Sequence, residues 1–346
     1  LLQPVRTAVV GASGYSGQEL LHYLARHPVF RLALITSRQQ AGEPLSKYMQ
    51  ALPRELGALT FVHADPDAAL AEQADLFFLA LPHGAAAPYA VALREAGKTV
   101  IDLSADFRTT DPAVYREFYG HDHPAPALLK EAVYGLPELH RDRLKSARLV
   151  ASPGCFPTSV LLPLVPFLRQ GLLAPDSISI TSLSGVSGAG RKVELRLLFG
   201  EVSENMYAYG VPKHRHLGEI EQELSLAAGK KITVSFVPHL VPLHRGMVTT
   251  VTASLAQPRT QPELQAVLEN AYAGEPFVEI LPESVLPEAR HVAHSNRMTI
   301  AVQLDARTNR ILLFSAIDNL GKGAAAQAIQ SANIVCGLPE TSGLEG

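Results

Sequence analysis

The chain has 346 residues, enough for two domains, and a composition 47% hydrophobic and 18% charged, that of an ordinary globular protein. A formal net charge of −3 offers no basic surface to nucleic acid or an anionic membrane. No apolar run approaches the roughly 20 residues of a bilayer span, no secretion signal is evident, and two lone cysteines, Cys155 and Cys336, point to a reducing cytoplasm rather than a disulfide framework.

The first third alternates strands and helices. RTAVVG (6–11) reads as a strand, followed by a helix over 15–26 and a strand at RLALIT (31–36). A strand near LTFV (59–62) and a short helix precede the apolar run LFFLAL (76–81), a helix over 85–96 and a strand at KTVIDL (98–103). This alternation predicts a parallel sheet covered on both faces. Residues 104–147, rich in His, Pro and Tyr, read as loops with short helices, and LVAS (149–152) as a last strand running into SPGCFPTS (152–159). Beyond it, SISITSLSG (177–185), KITVSFVPHL (231–240), MVTTVTASL (247–255), MTIAVQL (298–304) and RILLFSAID (310–318) alternate as strands do, with helices near 216–228 and 261–272. The fold class expected is α/β: a dinucleotide-binding domain over 1–153, and an α+β domain over 154–318 with a mainly antiparallel sheet. The stretch 321–338 has helical periodicity with a glycine at each end.

GASGYSG (11–17) follows the first strand and opens the first helix. Gly11 permits a tight turn, Gly14 lets backbone approach a pyrophosphate, and Gly17 lets helix pack on strand; Ser13, Tyr15 and Ser16 complete the candidate cofactor contacts. The second strand ends in Thr36-Ser37-Arg38 with no acid to bond a ribose 2′-hydroxyl, so Ser37 and Arg38 point to NADP rather than NAD; the competing reading of Arg38 is a solvated surface cation.

Cys155 falls where a strand ends and a helix begins, a position that stabilises the thiolate. Pro163 and Pro166 are expected to kink or interrupt that helix. A thiolate nucleophile needs a proton-handling partner, and KHRHLGEIEQEL (213–224) offers His214 and His216, with Glu219 to orient a ring. The paired H-x-H motifs, His121/His123 and His214/His216, lack a third ligand, so no metal is expected. Tyr209-Gly-Val-Pro-Lys213 imitates a Y-x-x-x-K motif, but Pro212 forbids the helical turn that motif needs. LSADFR (103–108) places Arg108 at the ligand edge of a parallel sheet, and SGVSGAGRK (184–192) suits a phosphate nest around Gly188 and Ala189. Cys336, on the apolar stripe of the last helix, reads as core packing.

GASGYSGQELL, ALPHG, IDLSADFR, YGLPE, ASPGCFPTS, SGVSGAGRK, HRHLGEIEQEL, VPHLVPLHRGM and AIDNLGKGAAAQA together resemble the N-acetyl-γ-glutamyl-phosphate reductase family of arginine biosynthesis. The resemblance implies NADPH-dependent reduction of an acyl phosphate through a thioester on Cys155. It implies His214 as acid/base oriented by Glu219, and Arg108, Arg245 and His216 as substrate contacts. It also implies Asn319 near the nicotinamide, a C-terminal helix (319–346) that completes the first domain, and a homodimer or homotetramer. His244 and the HLGEI string depart from the family pattern at the edge of the substrate pocket. Rival readings are a reductase of carrier-linked aminoadipyl or glutamyl phosphates in lysine biosynthesis, a non-redox cysteine acyltransferase, and a nucleotide-sensing regulator.

Overall fold

A computed structural model describes residues 3–50, 52–191 and 193–345. It divides into two compact units, one built from the described residues of Leu1–Arg116, His121–Pro153 and Ala324–Gly346, the other from Glu117–Gly120 and Gly154–Gly323.

The first unit holds a six-stranded sheet of β1 (Val5–Val10), β2 (Phe30–Ile35), β3 (Leu76–Leu79), β4 (Thr99–Asp102), β5 (Val133–Tyr134) and β6 (Leu149–Ala151). All neighbours are parallel, in the order β2-β1-β3-β4-β6-β5. Strands β3 and β4 are buried at every position, as a sheet covered on both faces requires. The order reverses between β1 and β3, and the glycine turn leaves the end of β1 there. That is the crevice where open α/β sheets bind ligands. The run 59–62 departs from expectation. It makes only isolated bridges, Thr36 to Val62 and Pro44 to Thr60, because its neighbour is the irregular segment after β2 and Pro44 has no N–H to donate. The helix Ala326–Val335 belongs to this unit: Asn333 Oδ1 meets His27 Nε2 at 3.0 Å, and Ser331 Oγ donates to the Gly135 carbonyl at 3.3 Å.

The second unit holds seven strands, β7 (Ser179–Gly185), β8 (Tyr207–Ala208), β9 (Ser235–Val241), β10 (Met247–Ser254), β11 (Val278–Ile280), β12 (Met298–Asp305) and β13 (Arg310–Ile317), in the order β11-β12-β13-β10-β7-β9-β8. The sheet is mixed: β11 with β12 and β7 with β9 run parallel, and the other pairs antiparallel. Strand β10 alternates buried and half-buried residues, the pattern of a sheet packed on one face. The helix Cys155–Arg169 packs on β10 and β13, and the helix Gln261–Ala271 starts from a full capping box of Thr260 and Glu263. The last turn before the C-terminal helix is π-helical, Gly321–Ala325, and as far as Gly323 it belongs to this second unit, so Asn319 does too.

The Cys155 helix runs unbroken for 15 residues through both prolines, contrary to the interruption expected from sequence. A proline at position i leaves the carbonyl at i−4 without its donor. Here both freed carbonyls find side-chain hydroxyls. Ser315 Oγ donates to the Ser159 carbonyl (2.7 Å), four residues before Pro163, and the Tyr272 hydroxyl donates to the Leu162 carbonyl, four before Pro166. Below them, Ser159 Oγ bonds Thr249 Oγ1 at 2.7 Å, and Thr249 Oγ1 bonds Ser182 Oγ at 2.7 Å, so buried hydroxyls tie the helix to β7 and β10.

Tyr272→Phe and Ser315→Ala should each lower the unfolding free energy by about 1–3 kcal/mol, the cost of orphaning a buried acceptor. In denaturant titrations, Tyr272→Phe should lose most of its effect in a Pro166→Ala background, where the new N–H takes over the Leu162 carbonyl.

Candidate active site

The structure places Cys155 as the first residue of its helix, with Gly154 as the extended N-cap. The opening N–H groups of a helix have no intrahelical acceptor, so the thiolate lies beside partial positive charge. Two glycines make room around it. A β-carbon on Gly154 would lie 2.6 Å from Cε1 and Nε2 of His216, and one on Gly323 would lie 2.8 Å from the Cys155 β-carbon. His216 therefore rests directly on the residue that precedes Cys155, and the 318–323 turn rests on Cys155 itself.

Glu219, 1% exposed, accepts the Gly154 N–H at Oε2 (3.1 Å) and brings Oε1 to 4.0 Å from His216 Nε2. The sequence paired Glu219 with His214; in the structure its carboxylate lies beside His216. Glu219 lies one turn beyond His216, the residue just before the helix Leu217–Ala228, and an i,i+3 pair shares a helix face. His214 is occupied differently. Its Nδ1 accepts the His216 N–H at 3.1 Å, which leaves the proton on Nε2, and Phe156, Tyr209 and Phe236 surround the ring. Burial, helped by the adjacent Arg215 cation, lowers its pKa to about 4. Tyr209, considered in the sequence only as part of the Y-x-x-x-K imitation, is raised mainly by burial and further by the Cys155 charge, so its hydroxyl stays protonated.

Arg245 and Asn319 are engaged inside the unit. Arg245 Nε pairs with Asp318 Oδ2 at 2.8 Å, with Asp318 fully buried, and Nη1 reaches His294 Nδ1 at 3.0 Å. The geometry gives Arg245 a buried ion pair where the sequence suggested a substrate contact. Asn319 accepts the Gly246 N–H at 2.8 Å and donates to Ser187 Oγ at 2.9 Å, bracing the loop that carries Gly188 and Ala189. Residues 186–189 form one 3-10 turn; Lys192, the last cation of that motif, lies outside the described residues.

In the first unit, Gly11 has φ +84°, and a β-carbon there would meet the Ala80 carbonyl oxygen at 2.5 Å; one on Gly17 would meet the Gly11 oxygen at 2.6 Å. Gly14 differs: a β-carbon there meets nothing nearer than 3.8 Å. Packing explains the first and third glycines and leaves the second as open space at a helix start, which fits a pyrophosphate. Ser13 Oγ and Ser37 Oγ lie 3.0 Å apart beside this turn, and Arg38 is exposed, so these residues fit a dinucleotide bearing a 2′-phosphate. Tyr15 and Ser16 open the helix Tyr15–Leu24. Arg108 is buried and donates to the Ser152 carbonyl (2.8 Å) and the Leu103 carbonyl (2.9 Å). Asp106, unread in the sequence, accepts the N–H groups of Gly84, Ala86 and Ala87, locking the LPHG turn to the LSADFR loop. Asp102 beside it is raised to about 7 by burial and by the Asp106 charge. Cys336 is half-buried, with its thiol pushed up to about 11 by burial. Among the described residues no cluster of His, Cys, Asp and Glu could hold a metal ion, and no helix is long and apolar enough to cross a membrane.

Comparison with known proteins gives consistent matches. Residues 6–147 match the NAD binding domain of semialdehyde dehydrogenases, and residues 155–319 match the semialdehyde dehydrogenase dimerisation domain. The chain is 51% identical to N-acetyl-gamma-glutamyl-phosphate reductase of Akkermansia muciniphila, over 99% of both chains. It is 49% identical to the enzyme of that name from Geobacter sulfurreducens, over 99% of this chain and 98% of that one. Its fold is that of aspartate semialdehyde dehydrogenase II from Vibrio cholerae, solved with ASA (TM-score 0.72, 18% identity, 97% and 99% covered). The aspartate semialdehyde dehydrogenase of Candida albicans, solved with NADP, matches equally well (TM-score 0.72, 17% identity, 96% and 99% covered).

The state of His214 is open to test by linkage. Unfolded, the ring binds a proton near pH 6.5; folded, it does so only near pH 4. Between those values the unfolded state holds more protons, so the contribution of His214 to stability is full above about 6.5 and falls as pH drops toward 4. Unfolding titrations from pH 8 to 4 should show a shallower loss for His214→Gln than for the parent.

Proposed function

The chain belongs to the N-acetyl-gamma-glutamyl-phosphate reductase family, and we propose that it reduces N-acetyl-L-glutamyl 5-phosphate to N-acetyl-L-glutamate 5-semialdehyde with NADPH, in arginine biosynthesis. The observation that carries this reading is Cys155 at the head of a buried helix, with His216 and Glu219 packed around Gly154. An acyl phosphate needs a strong nucleophile and little else, because phosphate is a good leaving group. The Cys155 thiolate attacks the acyl carbon; a C–S bond forms, the C–O bond to phosphate breaks, and a thioester remains. His216, steadied by Glu219, takes the thiol proton at the start and returns it to sulfur at the end. The helix N–H groups donate toward the negative oxygen of each tetrahedral intermediate. NADPH, when bound, supplies one hydride to the thioester carbon. The resulting thiohemiacetal collapses to the aldehyde and frees Cys155. The first unit would hold the dinucleotide through Gly11, Ser13, Gly14, Tyr15, Ser16, Gly17, Ser37 and Arg38, with Gly188, Ala189 and Asn319 toward the nicotinamide, and Arg108 would draw the substrate's anionic groups.

Relatives near half identity over almost the full length are named N-acetyl-gamma-glutamyl-phosphate reductase, which favours that substrate over a carrier-linked one. A non-redox acyltransferase would consume no NADPH. The dimerisation-domain match supports self-association, and we propose a homodimer or homotetramer working in the cytoplasm.

The direct test is phosphate-dependent NADP reduction with N-acetylglutamate semialdehyde. Cys155→Ser should abolish it while binding NADPH normally, and His216→Asn should slow both turnover and iodoacetamide labelling of Cys155 at low pH. Turnover by Cys155→Ser, or an unchanged labelling profile in His216→Asn, would overturn those roles. Arg38→Ala should weaken NADPH binding by about 1.5–3 kcal/mol, the range of a charged hydrogen bond, and leave NADH binding unchanged.

A further inference from the structure

We infer that Asp318, paired with Arg245, positions the nucleophile by shaping the 318–323 turn that packs against Cys155. One buried carboxylate defines that turn. Asp318 Oδ1 accepts the N–H groups of Leu320 (2.9 Å) and Gly321 (3.1 Å), and its own carbonyl accepts that of Gly323 (2.9 Å). Oδ2 accepts the His294 N–H and lies 2.8 Å from Arg245 Nε in an ion pair. Three backbone N–H groups thus meet the carboxylate, and the Arg245 cation offsets its buried negative charge.

The turn this produces has no slack. A β-carbon on Gly321 would stand 2.2 Å from the Ser295 carbonyl oxygen, and one on Gly323 would stand 2.8 Å from the Cys155 β-carbon. The opposite wall is held as firmly. His294 adopts φ +61°, a left-handed conformation costing on the order of 1 kcal/mol or more in a non-glycine residue. Its N–H is bound to Asp318 and its Nδ1 to the Arg245 guanidinium, the two contacts that keep it there. The adjoining Asn319 then fixes the Gly246 and Ser187 backbones. A shift at Asp318 therefore moves the wall against Cys155, although neither Asp318 nor Arg245 needs to touch the substrate.

The inference rests on reading Cys155 as the nucleophile, so its test uses a readout independent of turnover: the rate of Cys155 alkylation beside kcat and KM, on the full-length protein. In Asp318→Asn the amide NH₂ faces the donors of His294 and Arg245; in Arg245→Met the carboxylate loses its counter-charge. Each should lower kcat and shift the alkylation rate by about tenfold while KM stays within about threefold, and the double variant should be no worse than either single one, the mark of coupled neighbours. Should Asp318→Asn fail to fold, Arg245→Met and Gly323→Ala carry the test, the second by wedging a methyl group against Cys155 without altering any charge. A raised KM with unchanged kcat and alkylation in Arg245→Met would make Arg245 a substrate contact and sink the proposal. So would a folded Gly323→Ala protein that alkylates and turns over like the parent. Turnover by Cys155→Ser would instead remove the nucleophile reading.

Discussion

Space around one sulfur atom is the constraint on which the second unit is built. Cys155 lies between Gly154, whose missing side chain is replaced by the His216 ring, and Gly323, whose missing side chain is replaced by the cysteine itself. The two glycines come from opposite ends of the unit's sequence, so closeness is achieved by folding rather than by local chain geometry. Polar groups packed this tightly leave every neighbour with little freedom, and the buried hydrogen bonds follow from that. Glu219 takes the Gly154 N–H, Asp318 takes the turn, and Asn319 takes the loops beyond it. Side chains already locked in place need no reorganisation as charge develops.

The helix that carries the sulfur shows the same economy. Prolines at positions 163 and 166 would cost about 3 kcal/mol each in an exposed helix interior. Here they are buried, and their missing donors are supplied by a strand and by a neighbouring helix. The substitution of side-chain for backbone hydrogen bonds converts a local weakness into two fixed links between the helix and the core. Charge is handled similarly: Arg245 balances Asp318 within one buried cluster, while His214 is kept neutral by hydrophobic walls.

Much of this was legible in the sequence, and the parts that were not share a cause. The alternating strands, the glycine turn, the cysteine at a helix start and the two-part organisation are written in local patterns. Hydrophobic period and turn residues act over a few positions. The continuity of the proline helix was not legible, because the hydroxyls that rescue it lie over 100 residues away. Nor was the surrounding of the two histidines: that aromatic rings enclose His214 while Glu219 lies beside His216 is decided by packing in space. Asp318 and Asp106 gave no signal, since a lone aspartate in a loop looks like a solvated charge until the backbone donors around it are seen. Gly323 was not singled out in the sequence, since its closeness to Cys155 depends on what it meets in space.

The first unit is not continuous in the chain. Its sheet and its glycine turn lie before residue 154, but the helix that covers β4 and holds His27 comes from 326–335. During synthesis, the ribosome must make the entire second unit before that helix emerges. Until then one face of the nucleotide-binding sheet lacks its cover, including the partners of a buried histidine. A nascent chain is thus expected to complete its second unit first and its dinucleotide-binding unit last, the reverse of the N-terminal-first order of simple multidomain proteins. The cell would consequently hold no partly made chain with a finished nucleotide-binding unit.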